Sequence, residues 1–148
     1  MNVAIELHDS RILSLECGAD GLGDILFDAV TYYSEGIPGK ASQVSGSQNV
    51  RMRFSGVSVE GKIGQIGQTQ TDIYGGTLVT ASKDCGGFFS VQDVYEGPIV
   101  LSMFLSNDGD YRDLVVRATG LRMNLEGEFT PASIWDQDGN RTRVPPDK

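Results

Sequence analysis

The sequence predicts an all-β fold, mostly antiparallel, built as a barrel or a two-sheet sandwich of about ten short strands. Three observations carry this. Apolar and polar residues alternate with a period of two along most of the chain. No window of ten or more residues holds a 3.6-residue apolar stripe that a glycine does not interrupt. The 148 residues include 19 glycines, above the usual share of about 7%, which implies many turns.

The elements follow in order. Alternation over 2–7 and 11–17 gives two strands, and Asp20-Gly21 turns the chain into a third over 24–33. Pro38-Gly39 suits positions i+1 and i+2 of a type II turn, opening a connection over 34–47. Strands at 48–55 and 57–60 are separated by Gly56, and a loop over 61–70 with Gly61, Gly64 and Gly67 follows. Further strands are expected at 72–81, 87–94, 98–105, 111–119 and 121–129, bounded by Glu96-Gly97-Pro98, Asp108-Gly109 and Gly120.

Two glycines mark a change of parity. Apolar residues are even-numbered in Val50-Arg51-Met52-Arg53-Phe54 and odd-numbered at Val57 and Val59; the same switch separates Leu114, Val116 and Ala118 from Leu121, Met123 and Leu125. A one-residue shift sends every side chain to the other face, so Gly56 and Gly120 are expected at bulges or corners. The two segments also share Arg-x-(Ser/Thr)-Gly followed by alternation and Glu-Gly, offset by 64 residues from Arg53 to Arg117, a spacing that suits two pseudo-duplicated β halves.

The length suits one domain, expected over 1–130, with a polar tail over 131–148 anchored through Ile134-Trp135. On the expected strand 98–105, Val100 and Phe104 lie opposite Ile99, Leu101, Met103 and Leu105, so a cover from Trp135 or another subunit is expected. The net charge of −8 argues against a nucleic-acid backbone as partner. The opening residues lack a basic stretch and carry charge within six positions, and the longest apolar run, Ile99 to Leu105, falls short of a membrane span of about 20 residues. The chain therefore reads as cytoplasmic, with no membrane segment. Cys17 and Cys85 have no metal-type spacing and read as independent reduced thiols.

His8 is the one histidine, so multi-histidine metal sites are excluded within one chain and any Ser-His-Asp triad would pass through it. On a continuous strand His8 and Ser10 share one face, with Asp9 and Arg11 on the other. They do not converge as a triad; Asp9 or Ser10 is expected to bond backbone amides in a turn, or Asp9 to pair with Arg11. Asn107-Asp108-Gly109-Asp110 and Asp136-Gln137-Asp138-Gly139-Asn140 resemble fragments of calcium loops but lack the glutamate at position twelve, and Asp-Gly is a hairpin signal. No Gly-x-Ser-x-Gly elbow occurs.

A ligand site, if strand ends under long loops form one, is expected where His8, Asp9 and Arg11 approach Tyr32, Tyr33 and Glu35. There His8 would be a hydrogen-bonding or proton-accepting group, Arg11 an anion contact, Tyr32 or Tyr33 an apolar wall and Glu35 a polar contact. No catalytic residue, metal or cofactor is expected.

The segments Ile5-Glu6-Leu7-His8-Asp9-Ser10-Arg11, Tyr33-Ser34-Glu35-Gly36-Ile37-Pro38-Gly39 and Val50 to Gly61 resemble a group of small bacterial all-β proteins with no assigned function. The likeness covers the first two-fifths of the chain and the 98–127 hairpin; it implies a β fold and a bacterial origin, and it transfers no activity. The His-Asp-Ser start also looks like that of some small bacterial immunity proteins, which would imply binding to a protein. Together these readings favour a non-catalytic protein that binds a small ligand or a protein partner. An enzyme with carboxylates in a barrel mouth, and a structural subunit of a homo-oligomer, are the alternatives.

Overall fold

The computed structural model describes residues 1–37, 42–61, 66, 68–91, 93–107 and 109–145, and every regular element among them is a β-strand. The expected Pro38-Gly39 turn, Gly64, Gly67, Asp108 and the last three residues lie outside that set. The strands are β1 (Asn2–Cys17), β2 (Leu22–Ser34), β3 (Gln43–Ser55), β4 (Ser58–Glu60), β5 (Thr71–Val79), β6 (Asp84–Gly86), β7 (Phe88–Ser90), β8 (Tyr95–Asn107), β9 (Asp110–Trp135) and β10 (Arg141–Arg143).

All ladders between these strands are antiparallel, and six strands close a ring in the order β1–β2–β3–β9–β8–β5, shut by Arg11↔Asp72 and Ile12↔Thr71. The ring consists of two three-stranded meanders, β1–β2–β3 and β5–β8–β9, joined through β3–β9 and β1–β5. Its interior is filled by the alternate residues the sequence marks as apolar. Phe27, Ile5, Ile25, Met52, Leu101 and Leu114 are all fully buried, each side chain contributing about 1.5–3 kcal/mol by leaving water. No helix among the described residues is long and apolar enough to cross a membrane.

The strands expected at 2–7 and 11–17 are one strand interrupted by a bulge. Glu6 pairs with Val30 and Arg11 with Asp28, so residues 7–10 of β1 stand opposite Ala29 alone. Asp9 takes a φ of 68°, a conformation aspartate tolerates better than most residues. The bulge turns Leu7 and Ser10 inward while His8 and Asp9 project to solvent. The alternation expected of a straight strand, with His8 and Ser10 on one face, therefore fails. It also divides the edge of β1, which meets β7 at Ala4–Glu6 and β5 at Arg11–Ile12.

Gly56 and Gly120 belong to one corner. Ser55 pairs with Gly120, Gly56 has a φ of 60°, and Thr119 Oγ1 donates to the Ser55 carbonyl at 3.1 Å. β9 continues through Gly120, yet its buried residues switch from Leu114, Val116 and Ala118 to Leu121 and Met123. Arg53 pairs with Arg122 and Ser58 with Arg117; the 64-residue offset exchanges these two pairs, so the similar segments meet about a local two-fold axis.

The boundary expected at 130/131 falls inside β9, which runs to Trp135 and pairs with β10. Gly46 permits the passage of Pro131. A Cβ on Gly46 would lie 2.0 Å from the Thr130 carbonyl oxygen and 2.8 Å from Pro131 Cα. Trp135 is held against β3 by donating from Nε1 to Ser45 Oγ at 2.9 Å, beneath the Arg141 guanidinium at 5.3 Å. Phe104 remains exposed.

Candidate functional site

The residues singled out in the sequence are spread over several places. Tyr32 points out of the ring and donates to Glu6 Oε2 at 3.4 Å, its ring lying edge-on to Phe88 with centroids 5.2 Å apart. Burial, then the Glu6 carboxylate, push its phenol pKa up, with Asp9 adding to the rise and Arg141 opposing it. Tyr33, one residue on, faces the other way: its ring meets Phe129 at 4.6 Å and its hydroxyl donates to Gln48 Oε1. Glu35 is exposed beyond the end of β2.

His8 Nδ1 lies 3.2 Å from Asp9 Oδ2 at the exposed tip of the bulge. Arg11 donates from Nε to Asp72 Oδ1 at 3.1 Å, across the β1–β5 seam. Tyr32 therefore reaches the part of β1 before the bulge, and Arg11 serves the part after it. The adjacency of His8, Asp9 and Arg11 in the chain concealed this separation.

A different outer surface gathers aromatic rings. In β8 the alternation that buries Leu101, Met103 and Leu105 turns Ser102 and Phe104 outward, and in β9 the burial of Leu114 and Val116 turns Tyr111 and Asp113 outward. Tyr74 is the extra residue of a bulge in β5, between the pairs Ile73↔Leu105 and Gly75↔Phe104. The three rings converge. Phe104 and Tyr111 stack at 5.7 Å with planes 16° apart, while Tyr74 lies 5.6 Å from Tyr111 and 6.4 Å from Phe104. Tyr74 is 49%, Phe104 44% and Tyr111 63% exposed, so the cluster is surface and not core.

Charge and space surround these rings. A hydrogen bond with Tyr111 is the main cause that raises the Tyr74 phenol pKa, and the nearby Asp72 carboxylate adds to it. Asp113 pairs directly with Phe104 in the β8–β9 ladder and is exposed on the same outer face. Beside Phe104 a trough of about 360 Å³ runs over Gly75 and Gly76, walled by Thr77, Ser102, Phe104 and Asp113.

Two further clefts carry less directed chemistry. One of about 330 Å³ lies between β1, β7 and the start of β8, lined by Ala4, Phe88, Phe89, Cys85 and Tyr95 with Lys83, Asp84 and Asp93 among the polar residues. Burial pushes the Cys85 thiol pKa up, Lys83 opposing and Asp84 and Asp93 reinforcing the rise, so the group is a weak nucleophile at neutral pH. A groove of about 500 Å³ follows the glycine corner between Arg53, Glu96 and Arg122. Asp24 and Glu126 are committed to Arg51, at 2.5 Å and 2.8 Å. Among the described residues no group of three or more His, Cys, Asp or Glu side chains is placed to hold a metal ion.

The aromatic surface is only partly readable from the order of residues. The outward parity of Phe104 is readable from β8 alone. Tyr74 and Tyr111 carry no such mark, because their meeting depends on a bulge and on the pairing of strands distant in the chain. No protein-family model, curated protein or solved structure matches this chain.

Proposed function

We propose that this is a non-catalytic binding protein that docks a protein partner on the outer face of β5, β8 and β9. The observation that carries the reading is the contiguous exposure of Tyr74, Phe104 and Tyr111. Exposed aromatic clusters of this kind are common at interfaces, where tyrosine is enriched among the residues that dominate affinity. An open sheet surface also suits a protein better than a small molecule, which binds where most of its own area is enclosed. The interior of the ring is occupied by core side chains, which directs binding to the outside.

A second copy of the chain is a poorer occupant. A two-fold contact would set this face, with Asp72 and Asp113, against itself between two chains of net charge −8. A partner with basic groups is favoured instead.

Native mass spectrometry of the protein purified from its host tests the proposal. The expected result is a complex of defined stoichiometry with a different chain, reduced to the free protein by the double substitution Phe104→Ser and Tyr111→Ser. Recovery of the wild type as a free chain, or a complex that survives the double substitution, overturns it.

A further inference from the structure

Gly75 and Gly76 form a floor without side chains between Tyr74 and Phe104, and they do so for different reasons. A Cβ on Gly76 would come within 2.7 Å of the Ser102 carbonyl oxygen and 2.9 Å of Leu7 Cδ1, so close packing with the core requires glycine there. A Cβ on Gly75 would meet nothing within 4 Å, and Gly75 is not among the positive-φ glycines. Neither packing nor backbone conformation accounts for Gly75. What a side chain at Gly75 would do is fill the trough.

That trough has the shape and chemistry of a slot for a long cationic side chain. Its volume of about 360 Å³ is bounded by apolar surface along most of its length, with the Ser102 and Thr77 hydroxyls at the sides, the Phe104 ring as one wall and Asp113 beside it. Directly paired residues on one face hold their Cβ atoms about 4.5–5.5 Å apart, so the Asp113 carboxylate and the Phe104 ring address the same space. Asp72, on the other side of Tyr74, is already paired with Arg11. Among the described residues no ion pair joins Asp113.

Resting on the docking role of this face, we propose that the trough receives an arginine side chain from the partner. Its aliphatic stem lies over Gly75 and Gly76, and its guanidinium stacks on Phe104 and pairs with Asp113. Arginine fits better than lysine because a planar guanidinium can lie flat on an aromatic ring while donating in its own plane to a carboxylate, which a compact ammonium cannot do.

The test uses a capped Gly-Ser-Arg-Ser-Gly peptide titrated into the full chain and followed by amide NMR shifts. Shifts are expected at Gly75, Gly76, Phe104 and Asp113. Gly75→Val should abolish them while leaving the melting temperature equal or higher, since valine suits a strand and its Cβ clashes with nothing. Asp113→Asn should weaken binding by up to about fivefold, and a peptide with citrulline in place of arginine, which loses the contact with the ring as well, should lose about tenfold. Equal binding of the citrulline peptide, or undiminished binding by Gly75→Val, overturns the assignment. Should the arginine peptide leave these amides unmoved while Phe104→Ser with Tyr111→Ser still dissolves the native complex, the arginine slot fails and the docking surface stands. The reverse pattern removes the docking surface.

Discussion

Ser10 Oγ accepts the amide proton of Val30 at 2.9 Å while donating to the carbonyl of Glu6 at 2.6 Å. One buried hydroxyl thereby satisfies two backbone groups that flank the break in the β1–β2 ladder, while the Leu7 amide donates to the Gly87 carbonyl at 2.8 Å. The bulge is consequential for function as well as for pairing. By inserting it, the chain hands the edge of β1 from β7 to β5, closes the ring, and sets Arg11 against Asp72 at the border of the aromatic surface.

Ser10→Ala should therefore destabilise the protein by about 1–3 kcal/mol, the cost of leaving a buried backbone amide unsatisfied. Asp9 responds differently. Its φ of 68° is one that glycine adopts freely, so Asp9→Gly should be neutral or stabilising, whereas Asp9→Val should cost about 1–2 kcal/mol. Urea denaturation of the three variants checks both statements; equal losses for Asp9→Gly and Asp9→Val would show that the backbone conformation is not what selects residue 9.

The glycines at the corner and beneath Pro131 should differ in the same way. Gly56 combines a positive φ with a Cβ position 2.5 Å from Thr119 Oγ1 and 3.0 Å from its Cγ2, so Gly56→Ala should cost at least about 1–2 kcal/mol. Gly120 has ordinary φ, and an added Cβ would approach only the Ser55 hydroxyl oxygen, at 2.6 Å, which can rotate away. Gly120→Ala should cost less than half as much. Gly46→Ala, which drives a methyl into the Thr130 carbonyl, should be the worst of the three. Thermal melts that rank Gly120→Ala as the most damaging would contradict this account of the corner.

Much of the fold was legible in the sequence because each feature had a local cause. Period-2 alternation marked the inward residues of β2, β3 and β8, and the parity switches at Gly56 and Gly120 located a corner correctly. What was not legible required knowing which strands are neighbours. The 7–10 bulge contains no glycine, so nothing in Leu7-His8-Asp9-Ser10 announced that β1 continues through it with Ser10 turned inward. Pro131 likewise read as the start of a tail, since its accommodation depends on Gly46, 85 positions earlier in the chain. The candidate surface was illegible on the same ground: Tyr74, Phe104 and Tyr111 become neighbours only once the β5–β8–β9 register is known.

A pH dependence is expected at the end of β9. The Asp136 carboxylate accepts the amides of Asp138 and Asn140, each at 2.9 Å, and the Asn140 side-chain amide at 3.1 Å, closing the turn that returns β10 onto β9. The Asn140 backbone amide, then its side chain, hold the Asp136 pKa below its ordinary value of 3.8. A carboxylate whose pKa is lower in the folded state stabilises the fold above its ordinary value, and that contribution disappears as pH falls through the lowered one. The turn should thus be fully set at neutral pH and loosen only below about pH 4. Trp135 is the reporter, because the turn presents Arg141 to its ring. Its fluorescence should stay constant from pH 7 to pH 5 and change at lower pH. Asp136→Ala should show the acid spectrum already at pH 7, while Asp136→Asn, which keeps an acceptor oxygen, should hold the neutral spectrum through the acid range. An Asp136→Ala protein with the wild-type spectrum at pH 7 would show that the hairpin is held by the β9–β10 ladder and not by its turn.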